Sequence, residues 1–156
     1  MKTIRTTLVT TALLVTAAAV AFAANPHIGT WKLNESKSKF AAEGTKNHTV
    51  SYTEGEGGMI TVTVDGKDKD GNAVHWTVQC KFDGKPYKVE GNPNVDMMTY
   101  KKVDDHTNKI TGTKDGKTVM SGTITVAKDG KSRTVDTTQT GADGKKITDK
   151  AVYDKE

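Results

Sequence analysis

His27-Ile28-Gly29-Thr30-Trp31-Lys32-Leu33 decides how the rest of the chain is read. Ile28, Thr30 and Lys32 alternate with Gly29, Trp31 and Leu33, so a strand here sends the indole to one face and the lysine to the other. A large ring on the inner side of a first strand suits a sheet that closes on itself, because an indole can plug the end of a barrel. Gly29 beside it lets another backbone approach closely. Arg133 and Lys150 are candidates for a cation lying over the ring.

Upstream, Lys2 and Arg5 precede an apolar run from Leu8 to Phe22, and Ala21-Phe22-Ala23 has the small residues of a cleavage site. That order is the pattern of a secretory signal peptide, and the run is shorter than the roughly 20 apolar residues that cross a bilayer. The expectation is a leader over residues 1–23, cleaved after Ala23, and one domain over residues 24–156. No cysteine stands at the cleavage point to carry a lipid anchor, so the mature product is expected to be soluble, secreted or periplasmic, without stable membrane insertion.

The chain has 23 Lys and Arg against 19 Asp and Glu, a net charge of +4. Two of the basic residues leave with the leader, and Arg133 is then the one remaining arginine. The lysines are scattered through turns among Asp and Gly. A phosphate-binding face gathers its cations and interleaves aromatics, so nucleic acid is not an expected partner.

Downstream from Asn47, runs of Thr, Val, Ile and Tyr alternate with period two. They are cut by Asp-Gly at 65–66, 70–71, 83–84, 115–116, 129–130 and 143–144. Both residues tolerate the positive φ of tight hairpins, so these pairs read as corners. The last three are spaced by fourteen residues, the beat of a meander in which each strand pairs with its sequence neighbours. The predicted strands are 28–33, 47–53, 58–65, 73–82, 86–90, 96–103, 108–114, 117–127, 131–140 and 146–154. Glu35 to Glu43 reads as one short helical turn or a loop.

Alternation fixes the faces. Val74, Trp76, Val78, Cys80 and Phe82 share one side of their strand, as do Ile60, Val62 and Val64, and Met120, Gly122, Ile124 and Val126. One apolar face per strand fits an antiparallel barrel or sandwich and argues against a parallel sheet covered on both sides. The fold class is therefore all-β, an antiparallel up-and-down barrel of about ten strands preceded by a signal peptide.

Gly29-Thr30-Trp31-Lys32-Leu33 resembles the opening strand of the calycins, the G-x-W signature of lipocalins, and most closely its form in fatty-acid-binding proteins. Ala151-Val152-Tyr153-Asp154-Lys155 is similar to the closing strand of the latter. The resemblance implies a calycin-like, lipocalin-like exported barrel, and the whole mature chain can be laid on that plan. Two departures set limits on it. Asn34 to Lys46 is too short for the helix-turn-helix lid of fatty-acid-binding proteins. Ala151 also stands where their last strand usually carries an arginine that helps hold the ligand carboxylate.

With the apolar faces turned inward, Val62, Val74, Trp76, Val78, Phe82, Met98, Tyr100, Ile124 and Tyr153 are the candidate ligand-binding wall residues. Ten strands leave room inside that eight would not. The same residues are plain core if the barrel flattens and fills. Gly29 and Trp31 are read as structural.

Cys80 has no partner for a disulfide and lies on an apolar face, which reads as a buried inert thiol. His27, His48, His75 and His106 show no ligand spacing and read as surface or turn residues, so no metal site is expected. Asp65 to Asn72 fails the calcium-loop frame at Gly66 and Thr77 and reads as a solvated hairpin. No nucleophile elbow, phosphate loop or dinucleotide fingerprint is present. Asn34-Glu35-Ser36 and Asn47-His48-Thr49 fit a glycosylation pattern that matters only in a eukaryotic secretory pathway.

The expected function is that of an exported, non-enzymatic, monomeric β-barrel binding a small hydrophobic or amphipathic ligand without a cofactor. The alternatives are an envelope structural or interaction protein with a filled barrel, and an enzyme built at the barrel mouth.

Overall fold

The computed structural model of the protein describes residues 24–41, 45–141 and 143–156. The expected leader, 1–23, lies outside the described residues. The strands are β1 (Gly29–Leu33), β2 (Lys46–Glu54), β3 (Ile60–Lys67), β4 (Ala73–Cys80), β5 (Asp83–Glu90), β6 (Met97–Lys102), β7 (Thr107–Lys114), β8 (Lys117–Val126), β9 (Ser132–Thr140) and β10 (Lys146–Lys155). Each pairs antiparallel with its sequence neighbours, and β1 pairs with β10 to close the cylinder. The architecture is a ten-strand up-and-down antiparallel barrel.

Pairing keeps one parity inside all the way round. Trp31 stands opposite Val50, Val50 opposite Val64, and Val64 opposite Trp76. Across the barrel, Met98 faces Gly112, Ile124 faces Val135, and Val135 faces Ala151. A slip of one residue would send each of these to solvent, so the apolar rows themselves hold the register. The β4–β5 ladder is the shortest, reduced to Thr77 with Glu90 and Val78 with Val89.

The two ends differ. One, here the closed end, carries the turn at Asn25–Ile28 before β1 and the β2–β3, β4–β5, β6–β7 and β8–β9 connections. The other, the mouth, carries the remaining hairpins and, of the link between β1 and β2, the described residues 34–41 and 45. That segment contains one 3-10 turn, Glu35–Lys37, capped by the Asn34 side chain accepting from the Lys37 N–H. Of the short helical turn or loop read over Glu35 to Glu43, residues 35–37 form the turn, and 42–43 lie outside the described residues.

Four Asp-Gly pairs turn corners as expected, with φ of 84°, 76°, 69° and 77° at Gly71, Gly116, Gly130 and Gly144. Two do not. Asp65-Gly66 continues β3, and a Cβ on Gly66 would sit 2.3 Å from the Lys46 carbonyl oxygen. The glycine is there because β2 bulges toward it between Asn47 and Thr49, and the turn falls later, at Asp68 to Asn72. Asp83-Gly84 keeps the expected positive φ, 80° at the glycine, but opens β5, where the ladder to β6 shifts register before Pro86.

Aromatic rings gather in the closed half. Tyr52, Phe82 and Tyr100 meet with centroids 5.7 to 6.5 Å apart, and His27 sets its ring edgewise on Phe82 at 5.7 Å. Trp31 is wholly buried, its indole N–H donating to the His27 carbonyl at 3.0 Å. Each such side chain removed from water contributes roughly 1.5–3 kcal/mol or more.

Candidate functional site

Arg133 is the second residue of β9 and points into the barrel because it shares parity with Val135, which faces Ile124 and Ala151. It is 2% exposed. Its guanidinium carbon lies 4.8 Å from the Trp31 ring and 4.9 Å from those of Tyr52 and Tyr153. Each ring face offers about 0.5–2 kcal/mol to a desolvated cation, which offsets part of the cost of leaving water. The hydrogen-bonding need is not met: Nε and Nη1 are buried and have no acceptor. The buried carboxylate of Asp149 receives the Ala41 N–H at 2.7 Å and forms no ion pair with the arginine.

Beside this guanidinium the interior is hollow. A cavity of about 80 Å³ is bounded by Val50, Val64, Ile110, Met120 and Val135, by the polar groups of Asn47, Thr137 and Arg133, and by the tyrosines. A space of about 210 Å³ at the mouth shares the Asn47, Trp76, Met98 and Met120 walls with it. The cavity itself is smaller than the roughly 300 Å³ of an ordinary ligand pocket, so an occupant must be small or extend into the mouth. Tyr153 donates its hydroxyl to the Asn47 carbonyl at 3.0 Å. Burial pushes its pKa up to about 12 and that of Tyr100 well above the usual phenol value, so both rings present neutral hydroxyls.

Of the nine residues read as cavity wall, Val62, Trp76, Met98, Tyr100, Ile124 and Tyr153 border the inner cavity. Val74 borders the mouth, Phe82 borders a separate pocket at the closed end, and Val78 is buried in the core. Gly29 and Trp31 take structural positions with one change of detail. Gly29 has a φ of 122°, and what crosses it is the Lys155 side chain, whose Cε would meet an added Cβ at 2.7 Å, not a backbone. Lys155 and Arg133 are the cations over Trp31; Lys150, the other candidate, is exposed on the outer face opposite Asp136.

Tyr52 and Asn108 were legible by parity, Tyr52 with Val50 and Asn108 with Ile110, but neither belongs to an unbroken apolar run. His27 departs from the surface reading, being 2% exposed. Desolvation and then the Arg133 charge lower its pKa to about 4. His75 keeps to the surface, its Nδ1 2.6 Å from Asp65 Oδ1 on the outer wall. Cys80 is fully buried, and desolvation raises its thiol to about 12. Asp68 turns its carboxylate inward on its own loop, accepting from the Asp70 and Asn72 N–H groups and the Asn72 amide. Among the described residues no three His, Cys, Asp or Glu side chains gather as a metal site, and no helix is long and apolar enough to cross a membrane.

No family description matches the chain, and no curated protein matches it. Among solved structures it is similar to a redesigned β-barrel, mFAP1, bound to DFHBI, with a TM-score of 0.44 and 15% identity over 83% of this chain and 95% of that one. It is also similar to EF1p2_mFAP2b bound to DFHBI, with a TM-score of 0.46 and 11% identity over 84% and 94%.

Proposed function

We propose that the protein is a non-enzymatic calycin-like binding barrel, acting after export, for a small amphipathic anion. The ligand's apolar body lies among Trp76, Met98 and Met120, and its acidic head faces Arg133. One observation carries this reading: a permanently charged side chain stands in the wall of a cavity with two buried N–H groups lacking acceptors. An acceptor reaching them recovers the roughly 1–3 kcal/mol that an orphaned buried donor costs, and a charged one recovers more. The cavity volume excludes a long acyl chain buried whole, in keeping with the missing arginine at Ala151. No catalytic step belongs to the reading, since the histidine–carboxylate pair of His75 and Asp65 stands exposed outside the barrel.

Calorimetric titration with benzoate tests it, with toluene as the neutral counterpart and Arg133→Met as the variant. The expected result is benzoate binding that weakens roughly 10- to 100-fold in the variant while toluene uptake is kept. Equal benzoate affinity in both proteins, or none in either, contradicts the reading.

A further inference from the structure

We propose that the closed end of the barrel is a second binding site, taking a small neutral planar molecule whose edge sets a hydrogen-bond donor beside an acceptor, as in a lactam or imide. Seven buried side-chain nitrogen and oxygen atoms lack partners among the described residues, and all come from His27, His106, Asn108 and Arg133. The first three border a pocket of about 330 Å³ at the closed end, separate from the cavity that Arg133 borders. Its volume lies at the lower end of the range for ligand pockets.

Asn108 is the decisive side chain. It is 1% exposed, and neither its amide nitrogen nor its oxygen has a partner. A carboxamide held in this way presents one donor and one acceptor on a single edge, the complement of another amide edge. His27, 2% exposed, adds two unpartnered ring nitrogens, one a donor and one an acceptor in the neutral ring. Phe82 supplies a flat apolar wall and holds the His27 ring edgewise.

The charges around the pocket select a neutral occupant. Lys102 is paired with Asp105 at 2.6 Å, and Asp104 receives the His106 N–H at 2.8 Å, both at the exposed rim. The inner wall formed by His27, Phe82 and Asn108 offers no full counter-charge, so an ion would lose its hydration without compensation. Burial first, and then the Arg133 charge, keep the His27 ring unprotonated. Water is the competing occupant, since a polar chamber of this size can hold several molecules.

Nitrogen-15 NMR at neutral pH on the purified protein tests the proposal, with 2-pyridone as the probe and benzoate as the anionic control. 2-Pyridone is expected to shift the Asn108 side-chain amide and the His27 ring nitrogens saturably, and benzoate to bind there at least roughly tenfold more weakly. Asn108→Leu abolishes the response of the His27 ring nitrogens and raises the thermal midpoint, because the orphaned amide is gone; Asn108→Asp, which keeps the shape, weakens that His27 response. Absence of a saturable shift, a response unchanged in both variants, or equal binding of benzoate overturns the proposal. The cavity at Arg133 has its own reporters, the Arg133 Nε signal and the Met98 methyl, so failure at one end leaves the other reading standing.

Discussion

The Arg133 guanidinium lies 4.8 Å from the centre of the Trp31 ring, so the cation that borders the inner cavity rests on the wholly buried indole of β1. Lys155 lies over the same indole at 5.0 Å and ties its ammonium to the Pro26 carbonyl at 3.2 Å. Trp31 therefore joins the first strand, the ninth, the last and the N-terminal turn through its ring face and its N–H.

Trp31→Ala is expected to cost about 3–5 kcal/mol, a large part of the stability of an ordinary domain. Trp31→Phe keeps a ring under Arg133 and loses the bond to the His27 carbonyl, so it costs less. Urea denaturation of the two variants against the parent protein reads the difference, and an alanine variant as stable as the parent would refute the plug.

Acid should weaken the fold through His27. Its folded pKa is about 4 against an ordinary value of 6.5, lowered by burial first and then by Arg133, His106 and Lys102, with Asp104 opposing. The unfolded chain therefore binds more protons between those values, and stability falls as the pH drops from 6.5 toward 4. The stabilisation is present in full above this window, and its loss amounts to roughly 2–3 kcal/mol. His27→Phe should flatten the acid slope of the melting temperature; an unchanged slope would place the titration elsewhere.

Cys80 should stay unreactive in the native protein. Full burial and a thiol raised to about 12 leave almost no thiolate at pH 8. Ellman's reagent is expected to label it only after denaturation, and rapid native labelling would contradict the packed position.

Gly66→Ala should destabilise by roughly 1–3 kcal/mol, because the new methyl would press on the Lys46 carbonyl and the Asn47 Cα at the β2 bulge. Gly112→Ala meets only side-chain atoms of Val95, Met98 and Met120, at 3.2 to 3.3 Å, and should cost less. Thermal melts of the pair compare backbone with side-chain crowding.

Much of the barrel was written in period two. Val74 to Cys80 and Met120 to Val126 name their inner faces without help, and four Asp-Gly corners fall where positive φ is needed. Gly66 looked the same on paper but lies inside a strand against the Lys46 carbonyl, whereas Gly84 keeps the positive φ of a corner, 80°, yet opens β5 at a register shift. Arg133 was legible as a cation over Trp31 but not as a group bordering the cavity: an arginine reads as solvent-facing until the parity of Val135 is imposed on it. Asn108 reads as solvent-facing in the same way until the parity of Ile110 is imposed on it, and His27 lies in the turn before β1, where no strand parity applies. The barrel packs aromatic rings together near its closed end and leaves cavities beside Arg133 and at the mouth, an arrangement that depends on how Tyr52, Phe82 and Tyr100 meet across strands distant in sequence.

The most direct test of the binding reading is anomalous diffraction from crystals soaked in 4-iodobenzoate. The iodine is expected between Trp76, Met98 and Met120, with the carboxylate within hydrogen-bond distance of Arg133 Nε or Nη1. An iodine found only on the outer surface, with the cavity beside Arg133 holding water alone, would contradict it.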